Sequence, residues 1–446
     1  MNVKKYKNKL GKLKVSENKR YLKYEDGTPF FYLGDTAWEL FHRLNREEAK
    51  HYLSNRAEKG FTVIQAVALA ELNGLDIPNP YGEIPLIDLD PTKPNENYFK
   101  HVDHIIEYTE ELGLYMGLLP TWGKYWKLDG RDSVIFTPEN ARIYGRFLGN
   151  RYKDKAVIWI LGGDQNIENE EEFKIVEAMA LGLKDGDNGN HLITFHPRGP
   201  GSSSEFIQNV DWLDLNMCQT SHGAHDHDTG IFIEQDYNKN TEKPVLDGEP
   251  RYETMPVGFY YQEVSRYDRF DDYDVRQAAY WALMAGSCGH TYGNNSIWQM
   301  WKPEHKPVIW ANIPWYEALD TPGAFQMGHM RKFFESYPFT EMEATQDFIL
   351  DGPSHGGGKI RAMLSKDKTI GFVYSPRGKQ FTMDRRIFKP LRLKEYWFDP
   401  RYGCKYYAHT TANASFQTYV PPTSGRGNDW ILILEDEKSK KMYTGL

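Results

Sequence analysis

From Phe30 to Ser336 the chain alternates short apolar runs with longer stretches of helical periodicity. The runs are Phe30–Gly34, Phe61–Leu69, Met116–Trp122, Val157–Gly162, His191–His196, Trp212–Cys218, Pro244–Gly248 and Gly289–Tyr292, all of strand length. Helices are predicted over Arg46–Lys59, Asn97–Leu112, Thr137–Tyr152, Glu170–Leu181, Asp274–Ala285 and Pro322–Ser336, with Pro138 in a first-turn position that suits its fixed φ. Nearly continuous apolar strands separated by helices indicate a parallel sheet covered on both faces. Eight of them predict a (β/α)8 TIM barrel. An open doubly wound sheet fits less well, because no G-x-G-x-x-G follows the first run.

The two ends of the chain have other rhythms. Leu13 to Phe30 alternates and turns at Asp26-Gly27, which predicts a β-hairpin in an N-terminal segment, 1–29, packed on a barrel of 30–338. After Phe339 the runs Ile360–Leu364, Thr369–Tyr374, Leu391–Phe398, Tyr406–Ala408 and Trp430–Leu434 are separated by turn residues. They predict a small all-β sandwich over 339–446.

Composition sharpens this picture in two respects. Aromatic residues make up 14% of the 446 residues while the mean hydropathy is −0.66, so many rings are expected to line a wet, concave surface as well as a core. The net charge of −8 argues against nucleic acid or an acidic membrane as an electrostatic partner. Cys218, Cys288 and Cys404 fit neither a disulfide framework nor a zinc pattern. The polar N-terminus shows no signal-peptide core and no run reaches membrane-span length, so a soluble protein is expected, cytoplasmic as the sequence stands and periplasmic or secreted if a signal has been removed.

In a TIM barrel the chemistry lies where the strands end. The successive ends carry Asp35 and Trp38; Glu71 and Asn73; Trp122; Gly163, Asp164 and Gln165; His196 and Arg198; Gln219, Ser221 and His222; Asp247 and Glu249; and His290 with Trp298. Carboxylates for proton transfer, amides and imidazoles for hydroxyls and indoles for apolar sugar faces suit a carbohydrate substrate. Glycoside hydrolysis needs two carboxyl groups at the bond cleaved, and Asp164 and Glu249 are the candidates. Each has a plain structural alternative: a helix cap for Asp164, a pair with Arg251 for Glu249. Asp247 shares the strand parity of Glu249 and is its rival. Asp35, Trp38, Trp122, Gln165, His196, His222, His290 and Trp298 are the expected substrate contacts. His222, His225 and His227 with Asp226 and Asp228 lie on a loop without a metal-ligand signature, and no metal or cofactor is expected. Two other readings remain: a carbohydrate- or matrix-binding protein with a relic barrel, and a metal-dependent lyase or amidohydrolase.

The segments GDTAW, FTVIQA, VIWILGGDQN, PVLDGEPRYE and WFDPRYG resemble the apiosidase-like glycoside hydrolases, within the clan of retaining TIM-barrel glycosidases. The resemblance implies a catalytic barrel followed by a β-domain that carries a collagen-binding label, Asp164 as acid/base, Glu249 as nucleophile, and exo action on plant-type glycans. The wider clan has Asn-Glu where this chain has Gly163-Asp164. The change removes a side chain that contacts the sugar 2-hydroxyl and shortens the acid by one methylene, which is compatible with a furanose such as apiose.

Overall fold

The computed structural model describes residues 10–130, 133–239, 242–413 and 415–438. Residues 1–9 and 439–446, the outer ends of the expected N- and C-terminal segments, lie outside the described residues. The N-terminal segment is a three-stranded antiparallel sheet (Leu13–Val15, Leu22–Tyr24, Pro29–Phe30) rather than a hairpin. The Asp26-Gly27 turn joins only the last two strands. The first turn carries no Gly or Pro to mark it in the sequence; Lys19 takes the left-handed conformation (φ 55°) in their place.

Eight parallel strands follow: β1 (Tyr32–Thr36), β2 (Val63–Val67), β3 (Tyr115–Leu119), β4 (Val157–Leu161), β5 (Ile193–Phe195), β6 (Asn216–Gln219), β7 (Val245–Glu249) and β8 (Gly289–Asn294). Every residue in them is buried, which is why their sequences are apolar runs and not alternations. The sheet order is β5-β4-β3-β2-β1-β8-β7-β6, so the last strand returns beside the first and the sheet curls into a barrel-like wall. Between β5 and β6 the Asp214 N–H donates to Ile193 O (2.9 Å), and Thr194 Oγ1 donates to Leu215 O (2.8 Å).

Around the sheet lie α1 (Arg46–Glu58), α2 (Glu96–Glu111), α3 (Pro138–Tyr152), α4 (Glu170–Asp187), α5 (Gly230–Tyr237), α6 (Asp272–Met284) and α7 (Pro322–Glu335). Capping boxes start α1 (Asn45, Glu48), α3 (Thr137, Asn140) and α6 (Asp271, Asp274). α4 runs six residues beyond the expected end at Leu181. Its Gly182 and Gly186 do not terminate it; they let α3 approach. A Cβ on Gly186 would stand 2.5 Å from Arg146 O, and one on Gly149 of α3 2.4 Å from Leu183 O.

Beyond α7, a six-stranded antiparallel sheet packs face to face on a three-stranded one around Phe348, Val373, Phe381, Met383, Leu393 and Tyr419. Its other face closes on the helices: Tyr280 of α6 stacks on Tyr374 at 5.2 Å, and Phe333 of α7 meets Phe398 at 4.6 Å. Buried Arg276 of α6 pairs with buried Asp429 at 2.7 Å. The loop after β6 joins the same contact, with Asp226 on Arg377 (2.6 Å) and Asp228 on Arg361 and Lys359 (both 2.9 Å).

Candidate active site

A cavity of about 540 Å³ opens where the parallel strands end. Asp164, Glu249 and Glu71 line it, with Trp38, Trp122 and Trp298 as ring walls and Phe259, Tyr260 and Tyr261 among the residues of the loop that follows β7.

Glu249 ends β7 and receives donors from β5, β6 and the loop after β6. A register shift between Cys218 and Gln219 sets Gln219, not Thr220, opposite Glu249. Gln219 Nε2 thereby donates to Glu249 Oε1 at 2.8 Å. His222 Nε2 lies 3.0 Å from the same oxygen, and His196 Nε2 lies 3.0 Å from Oε2. His196 Nδ1 accepts the Asp164 backbone N–H (3.2 Å), which leaves Nε2, on the Glu249 side of the ring, to carry a proton. Burial alone would raise the Glu249 carboxyl, but the imidazoles of His196 and His222 outweigh it and hold the group well below the usual carboxylate range.

Asp164 has the opposite setting. Three successive residues, Gly162 (φ 93°), Gly163 (φ 77°) and Asp164 (φ 61°), take the left-handed conformation and turn the chain sharply off β4. There is no room for a side chain before the acid. A Cβ on Gly162 would stand 2.2 Å from His196 O, and one on Gly163 2.7 Å from Gly123 N. Burial, then the negative charge of Glu249, raise Asp164 to about 7. One carboxyl is thus held ionised while its neighbour keeps a proton close to neutrality, and a pair pushed apart in this way can divide the roles of base or nucleophile and acid.

Of the other expected contacts, Trp38, Trp122, His222 and Trp298 line the cavity. Asp35, Gln165, His196 and His290 do not. His196 stands behind Glu249. Asp35 is fully buried, accepts from Tyr52 OH at 2.6 Å and lies 3.6 Å from Arg56, tying β1 to α1. His290 is also buried, 3.7 Å from Asp247, and burial drops its pKa to about 3. Asp247 is fully buried, accepts from Thr220 Oγ1 and does not line the cavity. His225 is occupied by Asp268 (2.9 Å) and Asp274 (3.0 Å). Sequence reasoning set Glu71 and Gln219 at strand ends without giving them a part in the site, and it missed Tyr252, Phe259, Tyr260 and Tyr261. Gln219 carried no local signal, because its partner lies 30 residues on.

A curled parallel sheet whose open end holds one proton-bearing and one ionised carboxyl between aromatic rings defines a class, the glycoside hydrolases. Residues 16–341 match the family model "Apiosidase-like, catalytic domain", and the chain belongs to the apiosidase-like glycoside hydrolases. Residues 344–435 match "Putative collagen-binding domain of a collagenase". Among solved structures, one described as a glycoside hydrolase is 34% identical over 97% of this chain and 98% of its own, with a TM-score of 0.88. A glycoside hydrolase family 5 protein from Bacteroides vulgatus is 30% identical over 97% of this chain and 95% of its own, also with a TM-score of 0.88. No curated protein matches the chain.

Proposed function

We propose that this glycoside hydrolase is a retaining, exo-acting enzyme on plant-type glycans, with Glu249 as nucleophile and Asp164 as acid/base. The reading treats the curled sheet as a closed (β/α)8 barrel over 30–338, with 1–29 packed against it and 339–446 as a β-sandwich. The opposed protonation of the two carboxyls carries it. Glu249 attacks the anomeric carbon while Asp164 gives its proton to the leaving oxygen; the glycosidic C–O bond breaks and a glycosyl-enzyme forms. Asp164, now ionised, takes a proton from water, which attacks the same carbon and releases Glu249. Trp38, Trp122 and Trp298 give the apolar sugar faces their platform, and His222 is within reach of a hydroxyl. The family likeness supports exo action, and Gly163 in place of an amide-bearing residue suits a furanose such as apiose.

Two substitutions test the assignment. Glu249→Gln abolishes turnover of every glycoside. Asp164→Asn keeps the first step on an activated aryl β-apioside, loses about 10²–10⁴-fold on poor leaving groups, and regains rate with azide, giving a glycosyl azide of retained configuration. Wild-type rates in both variants would overturn the pair, and absence of azide rescue in Asp164→Asn would move the acid/base role to another carboxyl.

A further inference from the structure

The cavity holds a third carboxyl group, on the loop after β2, for which the two-acid mechanism has no use. The main chain around Glu71 is pinned from three sides. Tyr125 OH donates to Ala70 O (2.9 Å), Lys124 Nζ donates to Glu71 O (2.6 Å), and Leu72 N–H donates to Glu39 Oε1 (2.9 Å). Glu39 is itself fully buried and held by His42 Nδ1 at 2.6 Å. So much fixation around one residue presents its side chain at a set place, yet among the described residues the Glu71 carboxyl oxygens take part in no hydrogen bond or ion pair. The group is aimed into the cavity and left open.

We infer that Glu71 is a sugar-binding residue, whose carboxyl group engages two neighbouring hydroxyls of the glycoside on the Asp164 side of the cavity. The inference rests on the glycosidase reading of this site. Charged and titratable groups around Glu71 set its form. Burial comes first, then Asp164, Glu39 and Glu249, against the weaker pull of Lys124, with Arg43 and Tyr125 also near; together they raise the Glu71 carboxyl to about 8. At neutral pH it is an uncharged acid with one O–H donor and one C=O acceptor, a pattern that a glutamine amide reproduces and an ionised carboxylate does not.

The test uses the full chain and phenyl 1-thio-β-apioside, which resists hydrolysis, with tryptophan fluorescence reporting binding because three indoles line the cavity. At pH 6, Glu71→Ala should weaken binding about tenfold with an unchanged melting temperature, and Glu71→Gln should bind within about twofold of wild type. At pH 9 both forms lose the Asp164 proton, but only the wild type also ionises Glu71, so the wild type should weaken more than Glu71→Gln. Wild-type affinity in Glu71→Ala, an equal loss in Glu71→Gln, a fall in stability without a change in affinity, or no binding by any form would each overturn the inference. Glu71-dependent binding without turnover of an aryl β-apioside would uphold it and sink the hydrolytic mechanism instead.

Discussion

At the scale of single residues the site is a problem in keeping a proton on one carboxyl and off another 85 positions away in sequence. Burial and Glu249 raise Asp164 to about 7, so it is protonated below that pH and ionised above it. On the proposed mechanism, kcat/KM for substrates with poor leaving groups should therefore fall as pH rises through about 7. Glu249, held low by two imidazoles, should add no acid-side loss until well below the usual carboxylate range. Replacing Glu249 by Gln removes the neighbouring charge, and a carbon-13 NMR titration should then find the Asp164 carboxyl ionising at lower pH than in wild type. An unchanged Asp164 titration would show that burial alone sets it. Both acids were legible because each closes an apolar run with a polar cluster. What tunes them was not. His196 serves Glu249 from behind and never reaches the cavity, and the register shift at Gln219 has no counterpart in residue type.

At the scale of elements, Gly162-Gly163 is the feature on which the acid depends. Gly163→Ala places a Cβ 2.7 Å from Gly123 N at φ 77°. Backbone strain and the forced shift should together cost about 1–3 kcal/mol, and kcat/KM should fall on the order of 10²-fold as Asp164 moves. Gly82→Ala is the matching control: its φ is 80° and no atom lies within 4 Å of the added Cβ, so it carries the strain without the collision. Equal thermal shifts in the two variants, with activity intact, would show that the turn does not position Asp164. The eight parallel strands were readable because burial on both faces leaves an unbroken apolar run. In the C-terminal part Ile349–Asp351 and Phe416–Tyr419 escaped notice, being short strands with mostly exposed side chains. Helix α4 was cut short because its packing glycines look like terminators in sequence.

At the scale of the whole molecule, the aromatic contact between α6, α7 and the larger antiparallel sheet belongs to the same hydrophobic cluster as the interior of the curled parallel sheet. Asp429→Ala should remove the buried anion of Arg276 and leave it only the partly exposed Asp272 at 3.0 Å, at a cost of about 3 kcal/mol, seen as a lower denaturation midpoint. The parallel-sheet unit and the β-unit should still unfold in one transition, since one apolar cluster runs across the contact between them. Two resolved transitions in wild type would show instead that the units are energetically independent. Sequence rhythm located the change from helices to strands after Phe339 but gave no sign of this shared interior, because contacts between distant segments leave no periodicity.

The loop after β6 has two anchors: His222 stands at Glu249, while four and six residues on, Asp226 and Asp228 are gripped by Arg377, Arg361 and Lys359. Among the described residues the β-unit supplies no wall of the cavity, yet it holds the far end of the strap that carries one of Glu249's hydrogen-bond partners. The parallel-sheet unit excised and fused to a foreign partner would keep the described cavity-lining side chains and lose the mooring of one of them. For engineering, exchanging the second part would amount to an edit of the first.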